Sequence, residues 1–139
     1  MSEQKERVLY KALLEGSAME GWSLFRLADG SYGKKPADCA GIAPTGQGVL
    51  LEVKYTDKEH STIPWNLFST HQKIWAQEFA NQGGIALAAI YSDTTGTMTV
   101  FKLRKGYNEQ DECEVFKLIR NKFGLYSGWD QLLAQAVGV

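Results

Sequence analysis

Cysteine and proline are both scarce, at two and three residues in a chain of 139. The two thiols, Cys39 and Cys113, make neither a disulfide framework nor a zinc site. The core must therefore come from packing, and a reducing, cytoplasmic setting is expected. Long apolar runs are missing too. Ile85–Tyr91 and Val49–Leu51 fall far short of the ~20 residues of a spanning helix, so no membrane partner is expected. Met1–Arg7 is charged and leads into an amphipathic stretch, which does not read as a secretory signal. An excess of either charge is also lacking: 15 Lys and Arg stand against 16 Asp and Glu, for a net charge of −1. That excludes a protein that coats nucleic acid by bulk charge. It leaves room for a nuclease, whose cations act locally and whose site is itself acidic. No repeat, low-complexity segment or long linker divides the chain.

What is present suits one packed domain over 1–139. Hydrophobic residues make up 44%, which rules out a disordered chain, and the length permits a core without staples. Residues 3 to about 15 read as a helix, with Val8, Leu9, Ala12 and Leu13 at helical spacing and Gly16-Ser17 weakening its end. Trp22–Leu27 reads as a strand, and 29–36 as a loop. Ala37–Ala43 and Val49–Tyr55 are extended runs around the turn cluster Pro44–Gly48. Ser69 or Thr70 caps a helix to about Asn81, closed by Gly83-Gly84. Ile85–Tyr91 predicts a buried central strand and Thr97–Leu103 another. Glu112–Lys122 and Trp129–Val137 are expected to be helical. The order predicts a mixed α/β domain with a central sheet.

The chemistry concentrates between Asp38 and Lys54. Cross-strand partners in an antiparallel hairpin lie equally far from the turn, and Thr45 is midway between Asp38 and Glu52. If the turn is centred there, the two carboxylates face each other, with Cβ atoms roughly 4.5–5.5 Å apart. Like charges at that distance repel, and a divalent cation between them removes the conflict. Strand alternation puts Leu50, Glu52 and Lys54 on one face, and Leu51, Val53 and Tyr55 on the other. Asp38, Glu52 and Lys54 can then converge. Two carboxylates suit Mg²⁺, which takes oxygen ligands. A nearby ammonium can stabilise charge building on a phosphoryl oxygen. A Glu-x-Lys on a strand is ordinarily a solvated pair; the matching Asp across the turn weighs against that reading without deciding it, since the register is inferred.

Pro36-Ala37-Asp38 followed by Leu51-Glu52-Val53-Lys54 resembles the PD-(D/E)XK nuclease signature, with Ala37 inserted between Pro and Asp. Ile63-Pro64-Trp65-Asn66-Leu67-Phe68-Ser69-Thr70-His71-Gln72, then Gly83-Gly84-Ile85-Ala86-Leu87, looks like the corresponding stretch of RecU-type Holliday-junction resolvases. The resemblance spans about 33–103. It implies a restriction-endonuclease-like core, a central mixed β-sheet flanked by helices. It further implies Asp38 and Glu52 as metal ligands, Lys54 as the catalytic lysine, Gln72 beside the site, and a first-helix carboxylate, for which Glu6 is chosen over Glu3 and Glu20. His71 has a cap-structural reading, and His60 is assigned nothing. The implied cofactor is Mg²⁺, with Mn²⁺ as a substitute. The implied activity is paired nicking of four-way DNA junctions by a homodimer.

The chain departs from full-length members of that family. It is shorter, it lacks a segment matching their stalk, and Lys35-Pro36-Ala37 replaces the polar residues that usually precede the catalytic Asp. A short, phage-like relative fits. DNA contact is expected from Lys34, Lys35, Lys58 and Arg26, with Lys102, Arg104 and Lys105 as further candidates and Tyr32 and Trp65 as stacking surfaces. Two other readings stay open. One is a nuclease of the same class acting on duplex, flap or replication and repair intermediates. The other is a non-catalytic DNA-binding protein that keeps the fold.

Overall fold

The structure is a computed structural model that describes residues 2–28, 35, 37–104 and 113–137, the last four of these as backbone. Lys34, Lys105, Tyr32 and Pro36 lie outside the described residues.

The chain runs α1 (Glu3–Met19), β1 (Ser23–Arg26), β2 (Cys39–Ile42), β3 (Gly48–Thr56), α2 (Thr70–Asn81), β4 (Ile85–Ser92), β5 (Met98–Lys102), β6 (Glu114–Arg120) and β7 (Tyr126–Ser127). Short 3-10 segments cover Trp65–Leu67 and Trp129–Val137. The strands form one sheet in sequence order. Neighbours are antiparallel except β3 and β4, which are parallel and joined by the crossover helix α2. This mixed sheet flanked by helices is the α/β arrangement expected. Among the described residues no helix is long and apolar enough to cross a membrane.

The sheet is packed on both faces, and strand alternation decides which residue goes where. Val49, Leu51, Val53, Ile85, Leu87 and Ala89 face α1, where they meet Leu9, Tyr10, Leu13, Trp22 and Trp129. Ala86, Ala88, Ile90, Phe101 and Leu103 face the other way, toward Ala80 of α2 and toward Phe68 and Trp65. β4 is thus covered on both sides, which explains its unbroken apolar run.

The hairpin has the expected register. Ala43 and Gly46 close the turn, with Gly46 N–H donating to the Ala43 carbonyl at 2.9 Å and Gly46 at φ +91°. Ile42 pairs with Gly48 and Cys39 with Leu51. The next residue outward, Asp38, therefore stands opposite Glu52.

Two expectations change. The first helix does not weaken at Gly16 but continues to Met19. Gly16 is there because β7 crosses α1 closely: a Cβ on it would lie 1.9 Å from the Tyr126 carbonyl oxygen. The second change is at 114–120, expected as helix within Glu112–Lys122 and found as strand β6. Apolar side chains on both sides of this strand blur its period of two. Phe116 and Leu118 turn toward the core, while Val115 and Ile119 are exposed. The backbone bonds come from β5, a partner that local periodicity cannot reveal.

Glu20, one of the weighed first-helix acids, has a structural task. Its carboxylate accepts from the backbone N–H groups of Gly128 (3.0 Å), Trp129 (3.2 Å) and Asp130 (3.2 Å). It thereby caps the final 3-10 segment and fastens it to the end of α1. Glu20→Ala is expected to lower unfolding stability by about 2 kcal/mol. Urea denaturation monitored by Trp fluorescence checks this, and an unchanged midpoint would contradict it.

Candidate active site

The β2–β3 register and the α2 crossover together build the site. Asp38 sits at the mouth of β2, with Oδ2 accepting from the Val53 N–H at 2.8 Å. Its other oxygen, Oδ1, lies 3.5 Å from Lys35 Nζ, and that ammonium also donates to the Leu27 carbonyl at 3.3 Å. Glu52, opposite, is buried at 9% exposure. Burial pushes its pKa up to about 8, helped by a side-chain hydrogen bond to Asp38 and by the negative charge there, while Lys54 and Lys35 pull the other way. The register thus sets the two carboxylates against each other across the hairpin.

Gln72 closes the third side. Ser69 caps α2 and makes a capping box with Gln72: Gln72 N–H donates to Ser69 Oγ (3.1 Å), and Ser69 N–H donates to Gln72 Oε1 (2.9 Å). With its oxygen engaged, the amide has only Nε2 to offer the sheet, and Nε2 donates to Glu52 Oε1 at 3.0 Å. One side chain serves both the helix cap and the acidic pair. A capping box accepts Gln or Glu equally at this position; here the buried carboxylate requires the donor. Between Glu52, Gln72, Ala37, Trp65 and Phe68 is a cavity of ≈ 20 Å³, room for about one water. Lys54 is half-buried beside Phe68, its Nζ 5.4 Å from the ring centroid.

The structure thus brings together Asp38, Glu52, Lys54, Gln72 and, unforeseen, Lys35 as the ion partner of Asp38. Glu6 belongs to the first helix. It is on the α1 side, its Oε1 3.2 Å from Arg26 Nη2, and Arg26 lies 3.8 Å over the Tyr10 ring. Asp38 and Glu6 both act on Tyr55, whose pKa is pushed up to about 12 mainly by burial. Arg26 and Lys35, expected as DNA contacts, are therefore engaged by Glu6 and Asp38. Lys58 is exposed. Arg104 pairs with Glu114 at 3.4 Å, and Lys102 donates to the Leu132 carbonyl at 2.6 Å. Trp65 is half-buried and packs edge-on against Phe68 at 5.6 Å. His71 accepts from Trp75 Nε1 at 2.9 Å, a helix-local contact. The Ser69–Gln72 box was legible as S-x-x-Q. The link from Lys35 to Asp38 carried no signal beyond nearness in sequence.

The donor set fits a divalent cation of the Mg²⁺ type. Two oxygen ligands are pressed together in a partly dry place, where one must be neutral unless a cation intervenes. Among the described residues no group of three or more His, Cys, Asp or Glu gathers for metal binding. The protein's share of such a site would be these two carboxylates, with water and substrate oxygen completing it.

No protein-family model matches the sequence, and no curated protein matches it significantly. Among solved structures, the chain is similar to Hjc, a Holliday junction resolvase from the archaeal hyperthermophile Archaeoglobus fulgidus, at 15% identity. The match covers 78% of this chain and 85% of that one, with a TM-score of 0.49. The functional reading therefore rests on the site itself.

Two outcomes are expected. In chelator, Glu52 ionises near pH 4.5 in the unfolded chain but near about 8 when folded. Below the lower value both states hold the proton. Between the two, only the unfolded state loses it, so stability falls as pH rises and then levels off. Thermal melts should show this fall, on the order of a few kcal/mol, in the parent chain and not in Glu52→Gln. Parallel profiles would count against it. Gln72→Glu keeps the capping box but turns an acceptor onto Glu52. At neutral pH without metal it should cost about 1–3 kcal/mol in urea melts with helix content preserved; undiminished stability would mean the Nε2 contact contributes nothing.

Proposed function

We propose that this protein is a metal-dependent DNA endonuclease that hydrolyses phosphodiester bonds in the PD-(D/E)XK manner. Its substrate on this reading is the four-way junction, cut by paired nicks. The observation that carries it is the opposition of Asp38 and Glu52 across the β2–β3 register, with Val53 N–H on one, Gln72 on the other and Lys54 beside them. A sheet gains nothing in stability from two opposed carboxylates, whereas phosphodiester hydrolysis requires concentrated negative ligand charge beside a positive one.

Asp38 and Glu52 would hold Mg²⁺, or Mn²⁺ in its place. Bound there, the ion supplies Lewis acidity toward a phosphoryl oxygen and toward water. The rest is done by the chain. Gln72 keeps the Glu52 carboxylate turned toward Asp38. Val53 N–H and Lys35 hold the Asp38 oxygens. The Lys54 ammonium, backed by Phe68, stabilises the negative charge that grows on the phosphoryl group. Glu6, held by Arg26 on the α1 side, is the first-helix carboxylate of this reading and shares Tyr55 as a neighbour with Asp38. Two symmetric nicks require two sites related by a two-fold axis, hence a homodimer.

A second reading, the same chemistry on another DNA form, is favoured by one observation. Arg26 and Lys35 are engaged by Glu6 and Asp38, so neither marks a four-way shape.

Asp38→Asn and Glu52→Gln should each lower nicking of DNA by ~100-fold or more in Mg²⁺, with junction binding retained. Chelator should stop the parent chain. Competing a labelled junction against duplex, flap and single strand separates the two substrates. Undiminished cleavage by both variants would remove the mechanism, and absence of cleavage on every DNA form would leave a binding protein.

A further inference from the structure

Beyond Lys54 the end of β3 opens into a groove of ≈ 530 Å³. It is distinct from the small cavity at Glu52 and within the ~300–1,000 Å³ typical of ligand sites. Lys58, His60 and Asn66 line it, with Asp57, Tyr55 and Leu67. It is continuous with the catalytic residues through the chain: Tyr55 follows Lys54, and Leu67 precedes the Phe68 that backs the Lys54 ammonium.

The loop forming its floor is braced at nearly every residue. The Thr56 carbonyl accepts from Asp93 N–H at 2.9 Å. The Asp57 carbonyl accepts from Thr94 N–H at 3.3 Å and from the Thr94 hydroxyl. The Lys58 carbonyl accepts from the Thr56 hydroxyl at 2.6 Å. Glu59 is taken by Lys117 at 2.9 Å. Three successive loop carbonyls are satisfied, and Glu59, the acid that follows Lys58, is neutralised from β6. What the loop and its facing wall present is an ammonium, an imidazole and an amide, a set of hydrogen-bond donors for an anion on a pre-ordered frame. Asp57 also lines the groove, so anion contact falls to the Lys58–His60–Asn66 side.

The geometry points to a second backbone subsite here: Lys58, His60 and Asn66 hold a phosphodiester further along the strand that lies at Asp38, Glu52 and Lys54. This rests on the reading of the chain as a DNA nuclease and assigns His60 and Asn66, which that reading leaves idle. Contacts of this kind position a strand without reading its sequence, so the subsite sets how the cut phosphate is presented and not which base flanks it.

The test is equilibrium binding of a fluorescein-labelled four-way junction and of a labelled single strand to the full chain in chelator, with Mg²⁺-dependent cleavage measured in parallel. His60→Ala with Asn66→Ala should weaken Kd by about ten-fold. Asn66→Asp, which keeps the volume and adds a negative charge, should weaken it at least as much. Lys58→Ala should lower the slope of log Kd against log salt by about one, which a loss of packing would not do. Thermal melts verify that each variant is folded. Cleavage by the parent chain with unaltered Kd and salt slope in the variants overturns the subsite alone. Binding that weakens as stated, in a parent chain that cleaves nothing, overturns the nuclease reading and keeps the subsite. A parent chain that binds no DNA overturns both.

Discussion

Everything at the centre of this molecule depends on two carboxylates that a hairpin register forces together. Asp38 and Glu52 meet because the turn is closed at Ala43–Gln47 and each strand then advances in step. Moving the register by one residue would send Glu52 to the α1 face, into a layer of Leu51, Val53 and Leu87. The cost of a carboxylate there, without donors, exceeds that of the acidic pair, so the apolar pattern of the hairpin itself protects the convergence.

The repulsion is contained by neighbours drawn from three separate segments. Val53 N–H and Lys35 restrain Asp38 from β3 and from the loop before β2. Gln72 restrains Glu52 from α2. The last contact is available only because β3 and β4 are parallel. A parallel pair demands a crossover, the crossover is α2, and its N-terminus returns beside the strand it left. Helix capping and orientation of the Glu52 carboxylate then fall to the same amide.

Much of this was legible in the chain. The midpoint at Thr45 predicted the opposition of Asp38 and Glu52, and Ser69 before an amphipathic run predicted α2. Those features are local, or follow from counting along one hairpin. What stayed hidden depends on partners distant in sequence. Gly16 reads as a helix breaker until β7 is seen against it. Residues 114–120 read as helix until β5 supplies their hydrogen bonds. Arg26 reads as a lone surface cation until Glu6 and the Tyr10 ring are found beside it. Composition shows how many cations exist but not which are already engaged.

That distinction bears on how a chain of net charge −1 would hold a polyanion. The ion pairs Lys35–Asp38, Arg26–Glu6, Arg104–Glu114 and Lys117–Glu59 take four cations out of any diffuse attractive field. Exposed pairs of this sort add little to stability, but they localise charge. Attraction must then come from a few donors in fixed positions, and its range is limited to about a Debye length, ~8–10 Å at physiological salt. Lys54 and the Lys58 loop lie along one strand end, on a frame braced by β4, β5 and β6. On the proposed reading, a short chain would in this way direct a phosphate backbone toward an acidic centre that repels it at long range: Glu52 is buried with its pKa pushed up, and the exposed donors would reach the strand first.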